Sequence, residues 1–331
     1  MKISMKNSFF YTRYLMLGIC LIFNLSIDAV AQAYPNKSIT IIVPFPPGGT
    51  TDILAREISL RLQARLGVSV IVQNKDGASG TIGSAQVARS VGDGYFLLLT
   101  ATHHVINPAL RDQMPYDTQR DFTPLAMIAS APNVLIVNNN FQGKSVADLI
   151  RMAKEKPGSI DFASSGTGGA NHLSGELFKL KTGIELVHVP YRGASLALND
   201  LIAGVVPVMF DGLAAVAPHL KTGKIRALAV TSRQRAIIAP DIPTLSELGV
   251  KDFDVASWFG LYAPSKLPAD VLARLSLELR VILQSTELKQ RFEKLGVMPG
   301  NMSQQEFSTY VDDEIRQWSY VVTQAKIPKQ K

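Results

Sequence analysis

Residues 41–55 read IIVPFPPGGTTDILA. A β-branched run ends at three prolines and two glycines, and a helical pattern follows directly. Leu54, Ile58, Leu62 and Leu66 recur at one helix face. Strand, Gly-rich loop, helix is the building unit of an α/β sheet, and ligands of open α/β sheets sit at the carboxyl ends of strands. The loop contains no Lys, Arg, Cys or His. What it offers is a helix start, with unpaired N–H groups and the positive end of the helix dipole. Gly48 and Gly49 let the backbone approach a ligand, and Thr50 or Thr51 can cap or donate an O–H. An anion site of this kind needs no cationic side chain. A tight turn with a capped helix fits the same residues equally well.

The same alternation runs through the chain. Residues 38–43, 68–73 and 95–100 read as strands, with a helix over 81–90 between the last two. The pattern restarts with a helix at 145–156, a strand at 160–164, the loop SGTGGAN and a helix at 172–181. Strands at 186–191, 205–210 and 225–231 alternate with helices at 195–203 and 214–221. The C-terminal part is helical over 269–285, 287–295 and 304–324. Strands alternating with helices predict an α/β fold with two mainly parallel sheets. Residues 124–137, long and apolar with a break at Pro132, and residues 225–231 are expected to cross between lobes. Lobe 1 is then residues 34–128 plus 230–331, lobe 2 is residues 129–229, and two crossings form a hinge beside a cleft.

The N-terminus reads as a secretory signal. Lys2, Lys6 and Arg13 precede an apolar run over 14–25, and Ala31-Gln-Ala33 is a small-x-small cleavage site. The run is short for a membrane span, which takes about 20 residues. Residues 1–33 are therefore assigned to a signal peptide cut after Ala33, and the mature protein is expected to be secreted. A lipoprotein reading through Cys20 meets bulky Ile19 where a small residue is expected. Cys20 is the single cysteine, so the processed chain has no disulfide, thiol nucleophile or cysteine zinc site. Its charge falls from +7 to about +5, mildly attractive to anions. No basic block carries interleaved aromatics, which argues against nucleic acid as a partner. A chain of this length is expected to form two lobes.

Ser164-Ser-Gly-Thr-Gly-Gly-Ala-Asn-His172 repeats the strand–loop–helix arrangement in the second lobe. Two helix starts facing one cleft would hold a dianion, or a carboxylate and a second polar end. Asp52 in the first turn complements its helix dipole, or takes an ammonium or hydroxyl of a ligand. Neither loop is followed by Gly-Lys-Ser/Thr, and Gly166-Thr-Gly168 meets Asn171 where a dinucleotide fingerprint needs Gly or Ala. Gly77-Ala-Ser-Gly80 has the wrong spacing for that fingerprint, so no cofactor is expected. Ser165 and His172 could serve a secreted serine hydrolase, but no Gly-x-Ser-x-Gly elbow is present. His103 and His104 are adjacent and point to opposite sides of a strand, and His172, His188 and His219 lack metal-ligand spacing. His172 is expected to pack or hydrogen-bond near its loop. Phe45, between prolines at a loop tip, and Tyr191 are candidates for shaping a ligand.

Taken together, YPNKSITIIVPFPPGGTTDILAR, INPALRDQMPYDTQRDFTPLAMIA, SSGTGGANHLSGELFK, VPYRGASLALNDLIAG, VMFDGL and ALAVTSRQRAIIAPDIPTLSELG resemble the Bug (TctC-type) periplasmic solute-binding proteins of tripartite tricarboxylate transporters. The resemblance covers residues 34–328. It implies a two-lobe, type II Venus-flytrap fold without catalysis, in which two loops grip a carboxylate. Its motif positions are Phe45, Gly48, Gly49, Thr50 and Asp52 in the first loop, and Ser164, Gly166, Thr167 and His172 in the second. The candidate ligand-binding set adds Pro46, Ser165, Gly169, Tyr191 and Asp211. Two positions depart from the family pattern: Gly169 lacks a hydroxyl donor, and Val205 stands where Gln is usual. Both tell against citrate. The implied ligand is a di- or tricarboxylate, amino acid or aromatic acid. The implied partners are membrane transporter subunits or, alternatively, a signalling pathway. The chain is expected to be a monomer.

Overall fold

A computed structural model describes residues 34–191 and 193–329. The expected signal peptide and its cleavage site lie outside the described residues. Strand β1 (Ile39–Val43) leads through the 44–49 loop into helix α1 (Thr50–Leu66), followed by β2 (Val70–Asn74), α2 (Thr81–Ala88), β3 (Phe96–Ala101) and α3 (His103–Leu110). The face predicted for α1 is the one it buries: Leu54, Ile58 and Leu62 are fully enclosed. β1 lies between β2 and β3, parallel to both, as right-handed strand–helix–strand units require.

The long apolar segment is one strand, β4 (Phe122–Asn138), and it runs through Pro132. Pro132 has no N–H to give, and it sits where the strand changes partners. Residues up to Pro132 pair with β9 (Ala256–Pro264), and from Asn133 onward with β7 (Val208–Gly212) and β8 (Ile225–Val230). A missing donor is tolerated at such a switch, whereas inside one continuous ladder it would break it. β4 is therefore shared by two sheets. The first has the order β2-β1-β3-β9-β4, with the short β10 (Met298–Pro299) also on β4. The second runs β4-β7-β5-β6, with β5 at Asp161–Ser164 and β6 at Val187–Pro190. A second passage lies just beyond β8: Thr231 N–H donates to Asn133 O at 2.9 Å, and Val255 N–H donates to Thr231 O at 2.8 Å.

The expectation of mainly parallel sheets needs correcting at the centre. The outer ladders β1–β2, β1–β3, β5–β6 and β5–β7 are parallel, but every ladder of β4 is antiparallel, and so is β3–β9. β4 runs opposite to every strand it pairs with in both sheets, so the centre is antiparallel while the flanks are parallel. The sheets are mixed as a result.

Helices α4 (Val146–Glu155), α5 (Ala170–Thr182), α6 (Ala194–Ala203) and α7 (Leu213–Leu220) belong to the second half of the alternation. The C-terminal helices are α8 (Ala269–Gln284), α9 (Thr286–Lys294) and α10 (Gln304–Gln324). α10 packs on α3, β4 and α5, and so braces elements from both sheets. Trp258 and Trp318 are wholly enclosed beneath it.

His103 and His104 open α3 rather than a strand. Pro108 inside that helix hides it from a sequence reading, because proline removes a backbone donor and usually ends a helix. His104 is buried among Tyr116, Phe122 and Tyr262, and burial pushes its imidazole down to about 3.

Candidate carboxylate site

The two Gly-rich loops have the same backbone. Gly48 and Gly168 both lie at φ 84°, the left-handed region that favours glycine. The next residues, Gly49 and Gly169, are helix N-caps at φ −77°, ψ 167° and φ −80°, ψ 165°. Three positions further on, a side chain folds back onto the first glycine. Gly48 N–H donates to Asp52 Oδ2 at 2.9 Å, and Gly168 N–H donates to His172 Nδ1 at 3.0 Å. The pattern is Gly-Gly-x-x-acceptor, GGTTD in one loop and GGANH in the other. It was present in the sequence, but Asp and His look unrelated until both are seen to accept the same bond.

Glycine N-caps leave the first helical N–H groups without a side-chain partner. The helix starts at α1, α5 and α7, capped by Gly49, Gly169 and Gly212, have no side-chain cap. By contrast α4, α9 and α10 are closed by Ser145, Ser285 and Ser303. α2, α3, α6 and α8 also lack a side-chain cap, but α1, α5 and α7 are the glycine-capped starts that follow the carboxyl ends of β1, β5 and β7. Their N–H groups and dipoles are available to an anion.

The first loop is held rigid from behind. Asp52 is buried, and its Oδ1 accepts from Asn74 Nδ2 at 3.1 Å. Arg56 adds an ion pair at 3.0 Å, and Asn74 Nδ2 also reaches Phe45 O at 3.0 Å. Burial opposes ionisation of Asp52, but the bonds from Arg56, Gly48 and Asn74 outweigh it and hold the carboxyl below its ordinary range. Asp52 is thereby engaged within the loop itself, by Gly48, Asn74 and Arg56. Pro46, Gly48, Gly49 and Thr50 are exposed. The Phe45 ring tilts against His103 at 5.5 Å and packs against Gly80, where an added Cβ would lie 3.3 Å from it. The 77–80 turn behind it holds Ala78 and Ser79 at φ 47° and 55°, conformations unusual for non-glycine residues. Asn74, Gly80 and His103 were not singled out as site residues by the sequence reading; the Gly77–Gly80 spacing, unfit for a dinucleotide, was the one visible signal.

The second loop is built from neutral groups. Ser164 is fully buried, and its Oγ donates to Gly166 O at 2.9 Å and lies 2.7 Å from His188 Nε2. His172 and His188 stack at 3.8 Å. Burial is the main cause that pushes His172 to about 3 and His188 to about 4, with nearby Lys179 adding to it. His172 Nδ1 accepts from Gly168, so its proton is on Nε2, facing Glu176 at 3.7 Å. Asn171 Nδ2 donates to Ser165 Oγ at 3.3 Å and to Asp211 Oδ1 at 2.9 Å, which ties the loop to the end of β7. Tyr191 N–H donates to Ser164 O at 3.0 Å, and its hydroxyl donates to Asp200 at 2.8 Å. Burial first, then Asp200, raises the phenol to about 12. Thr167 is exposed.

The predicted residues thus fall into two clusters, one at each sheet. Phe45, Gly48, Gly49, Thr50 and Asp52 surround the start of α1. Ser164, Ser165, Gly166, Thr167, Gly169, His172 and Asp211 surround the starts of α5 and α7, with the backbone of Tyr191 beside them. Ser165 and His172, the pair a hydrolase would need, are each bonded elsewhere, to Asn171 and Gly168. Among the described residues no three His, Cys, Asp or Glu side chains come together as metal ligands.

Residues 54–327 match the family model described as "Tripartite tricarboxylate transporter family receptor". The chain is 36% identical over 294 residues to Protein BugT of Bordetella pertussis, covering 88% of this chain and 90% of that protein. Among solved structures, R. palustris Rpa4515 with adipate is 37% identical at a TM-score of 0.74, covering 90% of this chain and 100% of that one. MatC (Rpa3494) from Rhodopseudomonas palustris with bound malate is 29% identical at a TM-score of 0.70, covering 87% and 100%. Matched over most of its length by this receptor family model and by BugT, the chain belongs to the tripartite tricarboxylate transporter receptor (TctC, Bug) family.

Proposed function

We propose that this protein is a periplasmic receptor that holds a small organic dicarboxylate between its two Gly-Gly loops and delivers it to a tripartite transporter. The observation that carries this reading is the pair of matching loops, one in each sheet, each ending in an uncapped helix start. One carboxylate would take the N–H groups of the first loop and the other those of the second. The acids bound by its relatives, adipate and malate, support the chemical class. In this reading residues 34–128 plus 230–331 form one lobe and 129–229 the other, with the passages at Pro132–Asn133 and near Thr231 as hinge. Closure excludes water and strengthens each hydrogen bond to the ligand. Exposed Thr50 and Thr167 contribute hydroxyls, and Phe45 sets the shape of the apolar spacer.

The test is a thermal-shift screen of residues 34–331, unfolded and refolded to remove retained ligand, against mono-, di- and tricarboxylates and amino acids. A binder present at 100 times its dissociation constant adds about 2.7 kcal/mol, a shift of a few degrees for a chain of this size. The expected result is a shift with dicarboxylates that disappears in Gly48→Val and Gly168→Val. A folded protein unmoved by every acid would sink the reading.

A further inference from the structure

One carboxyl group in the second cluster has no counter-ion among the described residues. Asp211 is the last-but-one residue of β7 and is 4% exposed. Its Oδ1 accepts two bonds, from Asn171 Nδ2 at 2.9 Å and from Gly212 N–H at 2.8 Å. Its Oδ2 is sealed from solvent and has no partner among the described residues. An ionised carboxylate accepts at both oxygens, and burying one without donors or a cation is costly. A carboxylic acid has one acceptor oxygen and one hydroxyl, which is the division seen here. Asp52 provides the internal contrast: both of its oxygens are taken, and Arg56 neutralises it.

The surroundings agree. β4 brings no ionisable residue to Asp211, and α7 brings none before His219. On β5 the other carboxylate, Asp161, is at the far end of the strand. From α5 and β6 come His172 and His188, both held neutral; beyond them Glu176 and Lys179 pair with each other at 2.9 Å. Burial raises the Asp211 carboxyl above its ordinary range despite the bonds from Gly212 and Asn171. Asn171 Nδ2 links this carboxyl, through Oδ1, to Ser165 on the loop.

We propose that Asp211 is a ligand-reading residue that carries a proton when the site is filled: its Oδ2–H donates to an oxygen of the bound carboxylate, and the proton comes from solvent. This rests on the carboxylate-receptor reading above. Binding is then linked to uptake of a proton, and the receptor holds its acid more tightly in an acidified medium. Oδ2 is sealed, so this contact requires the packing over it to open on binding.

The experiment is titration calorimetry of residues 34–331 with adipate, malate and the other acids of the screen, at pH 6 to 9, in two buffers of different ionisation enthalpy. For the wild type the expected result is net proton uptake approaching one per ligand at the alkaline end, with affinity falling by up to tenfold per pH unit there. Asp211→Asn keeps a donor at the same place; it should bind within about threefold of the wild type near pH 6 and show no proton uptake. Asp211→Leu should lose at least tenfold, with circular dichroism verifying its fold. Equal uptake in Asp211→Asn would assign the proton to His172 or His188 and overturn the proposal. So would a wild type without uptake, or an Asp211→Asn that loses more than tenfold, the mark of an ionised Asp211 accepting from a ligand ammonium or hydroxyl. If acids bind and Asp211→Leu changes nothing, the receptor reading stands and this proposal fails. If no acid binds the wild type, both fall.

Discussion

Replacing Glu314 by Gln should make the protein more stable in neutral and alkaline solution. Glu314 is 5% exposed, and its Oε2 accepts from Trp258 Nε1 at 2.7 Å and from Trp318 Nε1 at 3.1 Å. These are the chain's two tryptophans. Burial pushes the carboxyl from 4.5 to about 7, against the two indole bonds, and Asp254 and Asp313 add to the rise. The folded-state value is raised, so the stabilising contribution is complete below about 4.5 and is lost as pH climbs through about 7. A shift of that size amounts to about 3 kcal/mol at pH 8. Glutamine presents a neutral oxygen to both indoles and has no proton to lose. Urea unfolding of wild type and Glu314→Gln at pH 5 and pH 8, followed by circular dichroism, measures the difference. The variant should gain on the wild type by about 2–3 kcal/mol between the two pH values. Tryptophan emission of the native wild type should shift with a midpoint near 7, and that of the variant should not. Parallel pH dependence in the two proteins would refute the reasoning.

Gly168→Val forces a β-branched side chain into φ 84° and should cost about 1–2 kcal/mol in urea melts while abolishing carboxylate binding. Asn74→Ala removes the bonds to Phe45 O and Asp52; it should lower stability by about 1–2 kcal/mol and weaken ligand binding, read by calorimetry. His172→Asn keeps an acceptor for Gly168 N–H but cannot titrate. The imidazole is depressed to about 3, so the wild type loses stability as pH falls below about 6.5, and the variant should lose less between pH 6.5 and 4 in the same melts.

The α/β class and the predicted helices were legible because their apolar residues recur on one face. What escaped has specific causes. β9 reads ASWFGLYAP, and from Trp258 onward every residue is buried, so it shows no alternation by which to recognise a strand. α3 carries an internal proline, and β4 runs through another. In each case tertiary contacts decide: α10 packs over α3, and β4 changes partners at Pro132. The antiparallel centre follows from the direction of β4 and β9 relative to their partners, which strand and helix order alone does not specify.

The site was legible as two loops but not as one repeated device. Its backbone is dictated by two adjacent glycines, the first needing φ near +84° and the second leaving the helix start uncapped. The third requirement is an acceptor three residues beyond the second glycine, and chemistry permits either Asp or His. The choice changes the charge of the loop without changing its shape. Asp52 brings a negative charge and therefore needs Arg56, four residues on, to balance it. His172 is neutral and needs only burial and a stacking partner, which His188 supplies. Local pattern thus fixes where the N–H groups point, while long-range packing fixes the field they act in. That is why Asn74 and His188, both remote in sequence from the glycines of the loops they support, take their roles only from the fold.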